Sequence, residues 1–478
     1  MLFNTLEFAL FFPLVFVLYW FVTNRSLRLQ NIMLLVASYY FYGRWDWRFM
    51  FLLIFSTFLD YFSGLQIHNA GSRSAKRAWL IASVGINLGF LGCFKYYNFF
   101  ADSFADLVGA FGFESHPVFL SVVLPVGISF YTFHGLSYVF DVYYDRIKPT
   151  TDPVDYALFV GFFPLLVAGP IERATHLLPQ IQRPRTFDVA RAVDGCRQVL
   201  WGVFKKVVIA DNAAEVVNSI FDGYATASGS TLLFGAILFA FQIYGDFSGY
   251  SDIALGTARL LGIELLQNFS FPYFSRDIAE FWRRWHISLS SWFRDYVYIP
   301  LGGSRGGTWM KVRNTSIIFL VSGFWHGADW TFIAWGGLHA LFFLPLLLSG
   351  TNRSNMSIVA QNRLLPTLRE LMGMATTFLC VVLAWVFFRA EDMHHALGYL
   401  GGIFSLTLFS APTGIPLQLL MLIALFLTIE WAGRRGTYGL QGIGLHWPRF
   451  GRWALYYGIL FLVFRFTGQS EEFIYFQF

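Results

Sequence analysis

Charged residues are scarce in this 478-residue chain, at 13%, whereas 56% of its residues are hydrophobic and 20% aromatic. A soluble globular domain has roughly a quarter of its residues charged, so the composition excludes that class. Apolar runs of about 18 or more residues, each long enough to cross a bilayer core, recur along the chain. The sequence therefore predicts an all-α polytopic integral membrane protein. The clearest predicted spans are Leu2–Val22, Phe49–Ile67, Trp79–Phe100, Val118–Val142, Leu232–Ile253 and Leu379–Val386 with its flanks.

Cysteine is nearly absent. Cys93, Cys196 and Cys380 stand singly in apolar surroundings, and their spacing suggests neither a disulfide framework nor a zinc site. The chain also lacks a linker rich in proline, serine or glycine, and it has no convincing internal repeat. We therefore expect one membrane domain over residues 1–478.

Basic residues are unevenly placed. The first 20 residues lack a basic segment and a small-residue cleavage site, so we do not expect a cleaved signal peptide. Arg25 and Arg28 follow the first span, and Gly71–Ala78 is basic, whereas Ala101–His116 has only acidic charges. The positive-inside rule then predicts an outside N-terminus and a cytoplasmic Gly71–Ala78 loop. Lys and Arg form no long basic stripe, which argues against nucleic acid as a partner.

Two segments in the middle of the chain fit no uninterrupted span. Asp155–Gly169 is short, contains two glycines and one proline, and is flanked on both sides by basic residues. A re-entrant element fits it better than a full crossing. Asp277–Phe293 mixes aromatic and charged residues, with apolar positions at three- and four-residue spacing. It predicts an interfacial or re-entrant helix on the cytoplasmic side.

Ionisable residues inside apolar segments are costly, so each is a functional candidate. Metal binding has little support, because no histidine pair has the HExxH spacing. The candidates form four sets: His134 with Asp141; Gln242 with Asp246 and Asp252; Arg283 and Arg284 with His286; and His326 with Asp329 and His339.

Each set also has a structural alternative. His134 fits a hydrogen-bonded core histidine. Asp246 and Asp252 fit helix-pinning carboxylates, which would bind backbone N–H groups or arginines. Arg283 and Arg284 fit headgroup contacts or ion pairs, with donor recognition as the functional alternative.

His326 differs from the other candidates because tryptophans surround it and glycines flank it. A dry aromatic pocket favours neutral imidazole, which can act as a base at neutral pH. The glycines permit close approach of backbone or substrate. A general base and a satisfied structural histidine both remain open from these residues alone. The neighbours are Trp325, Trp330, Trp335, Gly323 and Gly327.

Several motifs together resemble one known family. They are FYGRWDWRF, LPVGISFYTFHGLSYVFDVY, FFPLLVAGPIER, QIYGDFSGYSDIA, FWRRWHISLSSWFRDYVYIPLGG, the WHG at His326 and the terminal FIYFQF. In combination they resemble the membrane-bound O-acyltransferase (MBOAT) family, most closely its bacterial AlgI-type alginate O-acetyltransferase branch. The D-alanyl-teichoic-acid DltB proteins are related to that branch.

The resemblance implies a core of about 11–13 transmembrane helices, with re-entrant and interfacial helices around a tunnel. It also implies a bacterial inner-membrane enzyme without a cofactor. An acyl thioester, either acetyl-CoA or an acyl carrier, would enter from the cytoplasm. An extracytoplasmic acetyltransferase partner would complete transfer to a polysaccharide such as alginate. Membrane lipid surrounds such a protein.

By the same resemblance, His326 is the catalytic histidine and His286 the second motif histidine. His326 would act as general base on the acceptor hydroxyl. Asp329, three residues later, is a candidate to orient its imidazole. Further candidates for tunnel or donor contacts are Arg283, Arg284, Trp325, Gln242 and His134.

Tyr475 provides the only hydroxyl of the terminal FIYFQF. A phenol near a general base can be acylated, so Tyr475 is a candidate acyl carrier, with an aromatic interface anchor as the alternative.

Two rival functions remain for the whole chain. One is an MBOAT that acylates a lipid or lipid-linked acceptor, and the other is a transporter lined by the same polar residues. The missing repeat argues against the transporter.

Overall fold

The computed structural model describes residues 1–113, 117–121, 123–167, 169–468 and 473–474. Within these ranges the secondary structure is helical and contains no β-strand, which confirms the predicted all-α class. The chain forms two compact units, Met1–Arg191 with Ala258–Leu266 and Ala192–Thr257 with Gln267–Phe478. The single membrane domain stays a prediction.

The first unit contains eight α-helices among its described residues. Two π-helical segments, Leu18–Val22 and Gly92–Tyr96, extend the first helix and join the third to the fourth. The helices are α1 (Leu6–Val17), α2 (Leu27–Asn69), α3 (Arg73–Leu91), α4 (Tyr97–Ala110), α5 (Ile128–Tyr143), α6 (Pro153–Gly161), α7 (Phe163–Leu166) and α8 (Ala174–Ile181).

The second unit begins within α9 and contains the remaining helices. Short π- and 3₁₀-helices lie between them, at Phe204–Ala210, Pro272–Phe274, Arg294–Tyr298 and Leu406–Phe409. The α-helices are α9 (Val189–Val203), α10 (Asp211–Asp222), α11 (Gly229–Leu260), α12 (Ile278–Arg284), α13 (Ile287–Phe293), α14 (Gly307–His326), α15 (Trp330–Leu348), α16 (Leu368–Arg389), α17 (Met393–Ile403), α18 (Leu417–Gly433) and α19 (Arg449–Arg465).

Among the described residues, five helical stretches are long and apolar enough to cross a membrane, which makes this a multi-pass membrane protein. The longest, α2, has 43 residues and a non-helical break at Asp46 (φ −155°, ψ 112°). Its length of about 65 Å is twice the hydrocarbon thickness, so it is long enough for two crossings, one on each side of the break. The span count of the family core stays a prediction. The five stretches are Leu27–Asn69, Arg73–Ala110, Gly229–Leu260, Trp330–Leu348 and Leu368–Arg389.

The predicted span Val118–Val142 was wrong in its first part. The described residues between 117 and 127 are not helical, and α5 begins only at Ile128. Gly127 has φ 74°, and a Cβ there would lie 2.3 Å from the Leu166 carbonyl oxygen. Backbone of α7 therefore occupies the space that a continuing helix would need.

The predicted broken element Asp155–Gly169 contains two short helices, α6 with nine residues and α7 with four. Both are too short to cross a bilayer. Asp152 begins α6 by accepting hydrogen bonds from the Val154 and Asp155 N–H groups, and the chain leaves the helical region at Phe162 (ψ 115°). The absence of a full span agrees with the prediction, and the re-entrant path stays a prediction.

Candidate active site

His326 is the last residue of α14, and only 3% of its surface is exposed. Gly327 leaves the helix in extended conformation, and Asp329 caps α15 by accepting a 2.7 Å hydrogen bond from the Thr331 N–H. The two helices are thus joined by a three-residue turn. The position of His326 is therefore set by a tight helical hairpin.

Two glycines allow the helices of this hairpin to meet backbone to backbone. A Cβ at Gly323 would lie 2.2 Å from the Phe332 carbonyl oxygen, and one at Gly336 would lie 2.3 Å from that of Phe319. Small residues at helix crossings in membranes permit this close approach. The backbone of α15 thus approaches the backbone of α14 closely beside His326, as the neighbouring glycines led us to expect.

An aromatic wall surrounds the His326 imidazole. Its ring centroid lies 4.9 Å from that of Trp325, 5.1 Å from Trp335 and 5.4 Å from Phe388. Trp330 lies at the start of α15 and is 56% exposed. Phe388 comes from α16, which local sequence reasoning about the WHG segment could not connect to His326.

His286 lies in the same pocket, with 6.4 Å between its ring centroid and that of His326. It is fully buried and adopts a left-handed conformation (φ 43°, ψ 54°) between α12 and α13. The prediction of one helix over Asp277–Phe293 was therefore wrong. Positive φ is uncommon outside glycine, and such strained residues occur preferentially at functional sites.

Hydrogen bonds hold the break at His286 in place. The Ile287 N–H donates to the Asn268 carbonyl at 2.9 Å, and the Ser288 hydroxyl donates to the Asn268 side-chain oxygen at 2.6 Å. The Asn268 amide in turn donates to Ser251 of α11 at 3.0 Å. These bonds offset the unfavourable backbone conformation of His286 and tie it to α11.

The two predicted donor-contact arginines bind protein groups. Arg283 donates to the carbonyls of Asn352 and Asn355 at 2.8 and 2.9 Å. Arg284 forms an ion pair with buried Glu280 at 2.8 Å. This bonding matches the ion-pair alternative for Arg284, while Arg283 fixes the loop after α15. Their role towards a donor stays a prediction.

The remaining candidates lie elsewhere. Gln242 is buried on α11 of the second unit. His134 belongs to the first unit, where its Nε2 lies 3.3 Å from the Pro170 carbonyl oxygen. Tyr475 lies outside the described residues. Asp329 follows the end of α14 and so does not share a helix with His326; its orienting role stays a prediction.

Two buried lysines that sequence reasoning missed pair with the aspartates of α11. Lys206 lies 2.7 Å from Asp246, and Lys205 lies 2.6 Å from Asp252. Lysines were not among the expected partners, whereas a backbone N–H group was, and the Ile474 N–H donates to Asp246 Oδ2 at 2.7 Å. The dipeptide Lys205–Lys206 within the apolar stretch WGVFKKVVIA could have revealed them, because intramembrane charges need partners.

A cavity of about 250 Å³ lies near the histidine pair. Trp282 and Ser322 form part of its wall, and Ser322 lies one helical turn before His326. The Trp282 indole donates to His339 Nδ1 at 3.2 Å and lies 5.7 Å from Trp335. Trp335 in turn lies 5.1 Å from the His326 ring, so two successive ring contacts link Trp282 of the cavity wall to His326. Its other lining residues include Arg294 and Arg353 with the apolar Phe319, Phe343 and Leu347.

The two ends of the second unit differ in charge. At one end, Arg434 after α18 donates to the Val359 and Ala360 carbonyls before α16, and arginines are frequent in both loops. At the other end, the Thr413 N–H donates to Thr231 at 3.0 Å, and residues 390–416 contain no Lys or Arg. The positive-inside rule predicts a cytoplasmic location for the first end, and this orientation stays a prediction. Arg353 of the cavity lies in a loop at that end.

Comparison with known proteins places this chain in one family. The model of the membrane-bound O-acyltransferase family matches residues 4–369. The Pseudomonas putida protein named "Probable alginate O-acetylase AlgI" is 38% identical over 98% of both chains. The Helicobacter pylori "Peptidoglycan O-acetyltransferase" is 35% identical over 85% of this chain and 80% of its own. The Streptococcus thermophilus "Teichoic acid D-alanyltransferase" is 31% identical over 45% of this chain and 55% of its own.

Proposed function

Because this chain belongs to the membrane-bound O-acyltransferase family, we propose that it moves an acetyl group from a cytoplasmic thioester towards an extracytoplasmic polysaccharide. Its membership makes it an O-acyltransferase, and its relatives support O-acetylation of a polysaccharide. Alginate is the proposed polymer, because AlgI proteins are among the most similar relatives.

One observation carries the proposal: two buried histidines from different elements share an aromatic pocket. His326 is the proposed general base, and it takes the proton from the accepting hydroxyl as that oxygen attacks the thioester carbonyl. The C–S bond breaks, a C–O ester bond forms, and the proton passes to the leaving thiolate. The dry wall of the pocket limits hydrolysis of the thioester. His286 lines the same pocket and orients the reacting groups.

The cavity beside Trp282 supports a cytoplasmic donor such as acetyl-CoA. Its apolar wall suits a pantetheine arm, and the exposed Arg353 suits phosphate groups. Ring contacts through Trp335 link its Trp282 wall to His326, so the proposal places the thioester end on the Trp282 side of the cavity. Arg283 contributes by fixing the loop that carries Arg353.

The terminal segment supports a relay to an outside partner. Phe473 and Ile474 are buried in the second unit, next to Tyr475 in sequence. In the proposed relay, the Tyr475 hydroxyl accepts the acetyl group as an ester and an extracytoplasmic acetyltransferase then passes it to the sugar. A lipid acceptor is the rival, and finding the acetyl group on extracted lipid and not on polymer would favour it.

The test is incubation of purified protein with acetyl-CoA labelled in the acetyl group. Free CoA and protein-bound label are measured for wild type, His326→Ala, Tyr475→Phe and the surface control His394→Ala. We expect His326→Ala to lower CoA release by about a hundredfold or more, as loss of a general base does. Tyr475→Phe should lose the protein-bound label, and His394→Ala should match wild type.

Each role can fail separately. Equal CoA release from wild type and His326→Ala would end the assignment of His326 as base. Protein-bound label that persists in Tyr475→Phe would end the carrier role of Tyr475 and leave that of His326 intact. Label that appears in added lipid would replace the polysaccharide acceptor with a lipid one.

A further inference from the structure

The last described residues of the chain lie in a formed binding site in the second unit. Phe473 and Ile474 are 0% and 2% exposed. The Phe473 ring lies 4.7 Å from that of Tyr250 and 5.9 Å from that of Phe247. The Ile474 N–H donates to Asp246 Oδ2 at 2.7 Å. One helix, α11, thus provides both the aromatic contacts and the hydrogen-bond acceptor.

Asp246 is well suited to bind this segment because a lysine holds it from the opposite side. Its Oδ1 lies 2.7 Å from Lys206 Nζ, which also pairs with Asp211 at 2.8 Å. A buried carboxylate is stable only when it is paired and hydrogen-bonded. Here one oxygen faces the lysine, and the other accepts a charge-assisted bond from main chain.

Close helix packing brings this lysine to α11. Lys206 lies in the π-helical segment Phe204–Ala210, and π-helices are frequent at functional sites. A Cβ at Gly249 of α11 would lie 3.0 Å from the backbone nitrogen of Lys206. The glycine thus leaves room for the backbone of the π-helix against α11.

The binding site is adjacent to the histidine pair. Phe247 follows Asp246 on α11, and its ring contacts both Phe473 and His286, the latter at 4.7 Å. We propose that the Lys206–Asp246 pair is a docking site for Phe473 and Ile474, which positions the Phe473 ring one aromatic ring from His286. Asp246 then acts as a positioning residue for the relay. The acyl-carrying part of this proposal rests on the proposed function, whereas the docking itself does not.

Docking is tested with a cysteine at Ile474, in a chain whose three native cysteines are replaced. Its labelling by maleimide is compared in Asp246→Asn and in Asp211→Asn. An asparagine at 246 has one acceptor oxygen and one NH₂ donor, so in the native geometry the NH₂ would face either Lys206 or the Ile474 N–H, and one of the two bonds would be lost. We expect about tenfold faster labelling in Asp246→Asn, since a charge-assisted bond to a buried group is lost. Asp211→Asn removes a Lys206 partner but leaves the bond between Asp246 and the Ile474 N–H in place, so its labelling should match the parent.

A second reporter separates docking from folding. Ala396→Cys lies fully buried in α17, and its labelling reports general opening. Faster labelling at position 396 in Asp246→Asn would assign Asp246 to folding and overturn the docking role. Unchanged labelling at position 474, or an equal rise in Asp211→Asn, would overturn it as well.

A transfer assay links docking to function. Asp246→Asn should lower acetyl transfer in the full chain and have no added effect once residues 473–478 are deleted. An added effect in the shortened chain would show that Asp246 does not act through the tail. Full transfer by Tyr475→Phe, together with faster maleimide labelling at position 474 in Asp246→Asn, would overturn the carrier role of Tyr475 and leave the docking site intact.

Discussion

At the scale of single residues, the bonding of each charged side chain separates two groups of arginines. Arg283 and Arg284 are engaged with carbonyls and with Glu280. Arg353 lines the cavity near the histidine pair and is exposed at its edge. A side chain that binds protein is poorly placed to meet a donor, whereas an exposed cation beside an apolar cavity can meet phosphate. Arg353 is therefore the better candidate for donor recognition.

Replacing Arg353 tests this assignment. We expect Arg353→Ala to raise the KM for acetyl-CoA by about tenfold and to leave kcat nearly unchanged, because the phosphate contact persists through the reaction. Acetyl-pantetheine lacks the nucleotide phosphates, so its KM should be the same in both proteins. Arg363→Ala, on the same loop but outside the cavity, is the matched control. An equal KM increase for both substrates would contradict phosphate recognition.

At the scale of elements, sequence patterns predicted long apolar helices well and predicted broken ones poorly. Leu232–Ile253 lies within α11 as expected, since hydrophobic length alone specifies such a helix. The break at His286 was missed because apolar spacing continues through it, and its cause is hydrogen bonding to the distant Asn268. The local sequence revealed His326 and its ring contacts Trp325 and Trp335. Phe388, Lys205 and Lys206 required contacts between elements that are far apart in sequence.

The α14–α15 hairpin allows a sharp test at this scale, because two adjacent glycines differ in their surroundings. A Cβ at Gly336 would lie 2.3 Å from the Phe319 carbonyl oxygen, whereas one at Gly337 would meet only a Leu320 side chain at 3.8 Å. We expect Gly336→Ala to force the helices apart, lower the thermal midpoint in detergent and reduce acetyl transfer, with an overpacking cost of about 1–3 kcal/mol. Gly337→Ala should match wild type in both measurements. Equal tolerance of the two alanines would show that the hairpin can relax.

At the scale of the whole molecule, charge gives the second unit a direction in the membrane. The arginine-rich loops between α15 and α16 and between α18 and α19 are tied together by the bonds of Arg434. At the opposite end, the hydroxyls of Thr231 and Thr413 form a hydrogen bond, and residues 390–416 contain no Lys or Arg. The cavity beside Trp282 is lined in part by Arg353, which lies in a loop at the basic end. A thioester made in the cytoplasm would therefore meet the cavity at the face where it is available.

This direction can be measured with two exposed positions, again in a chain without the native cysteines. Gln361→Cys lies in the loop before α16, and Ala411→Cys lies in the loop before α18. We expect a membrane-impermeant maleimide to label position 411 in intact cells and position 361 only after permeabilisation, because basic loops remain in the cytoplasm. Inverted vesicles should reverse the pattern. Labelling of position 361 in intact cells would place the cavity edge outside, where a cytoplasmic thioester cannot reach it, and the proposed path from donor to polysaccharide would fail at its first step.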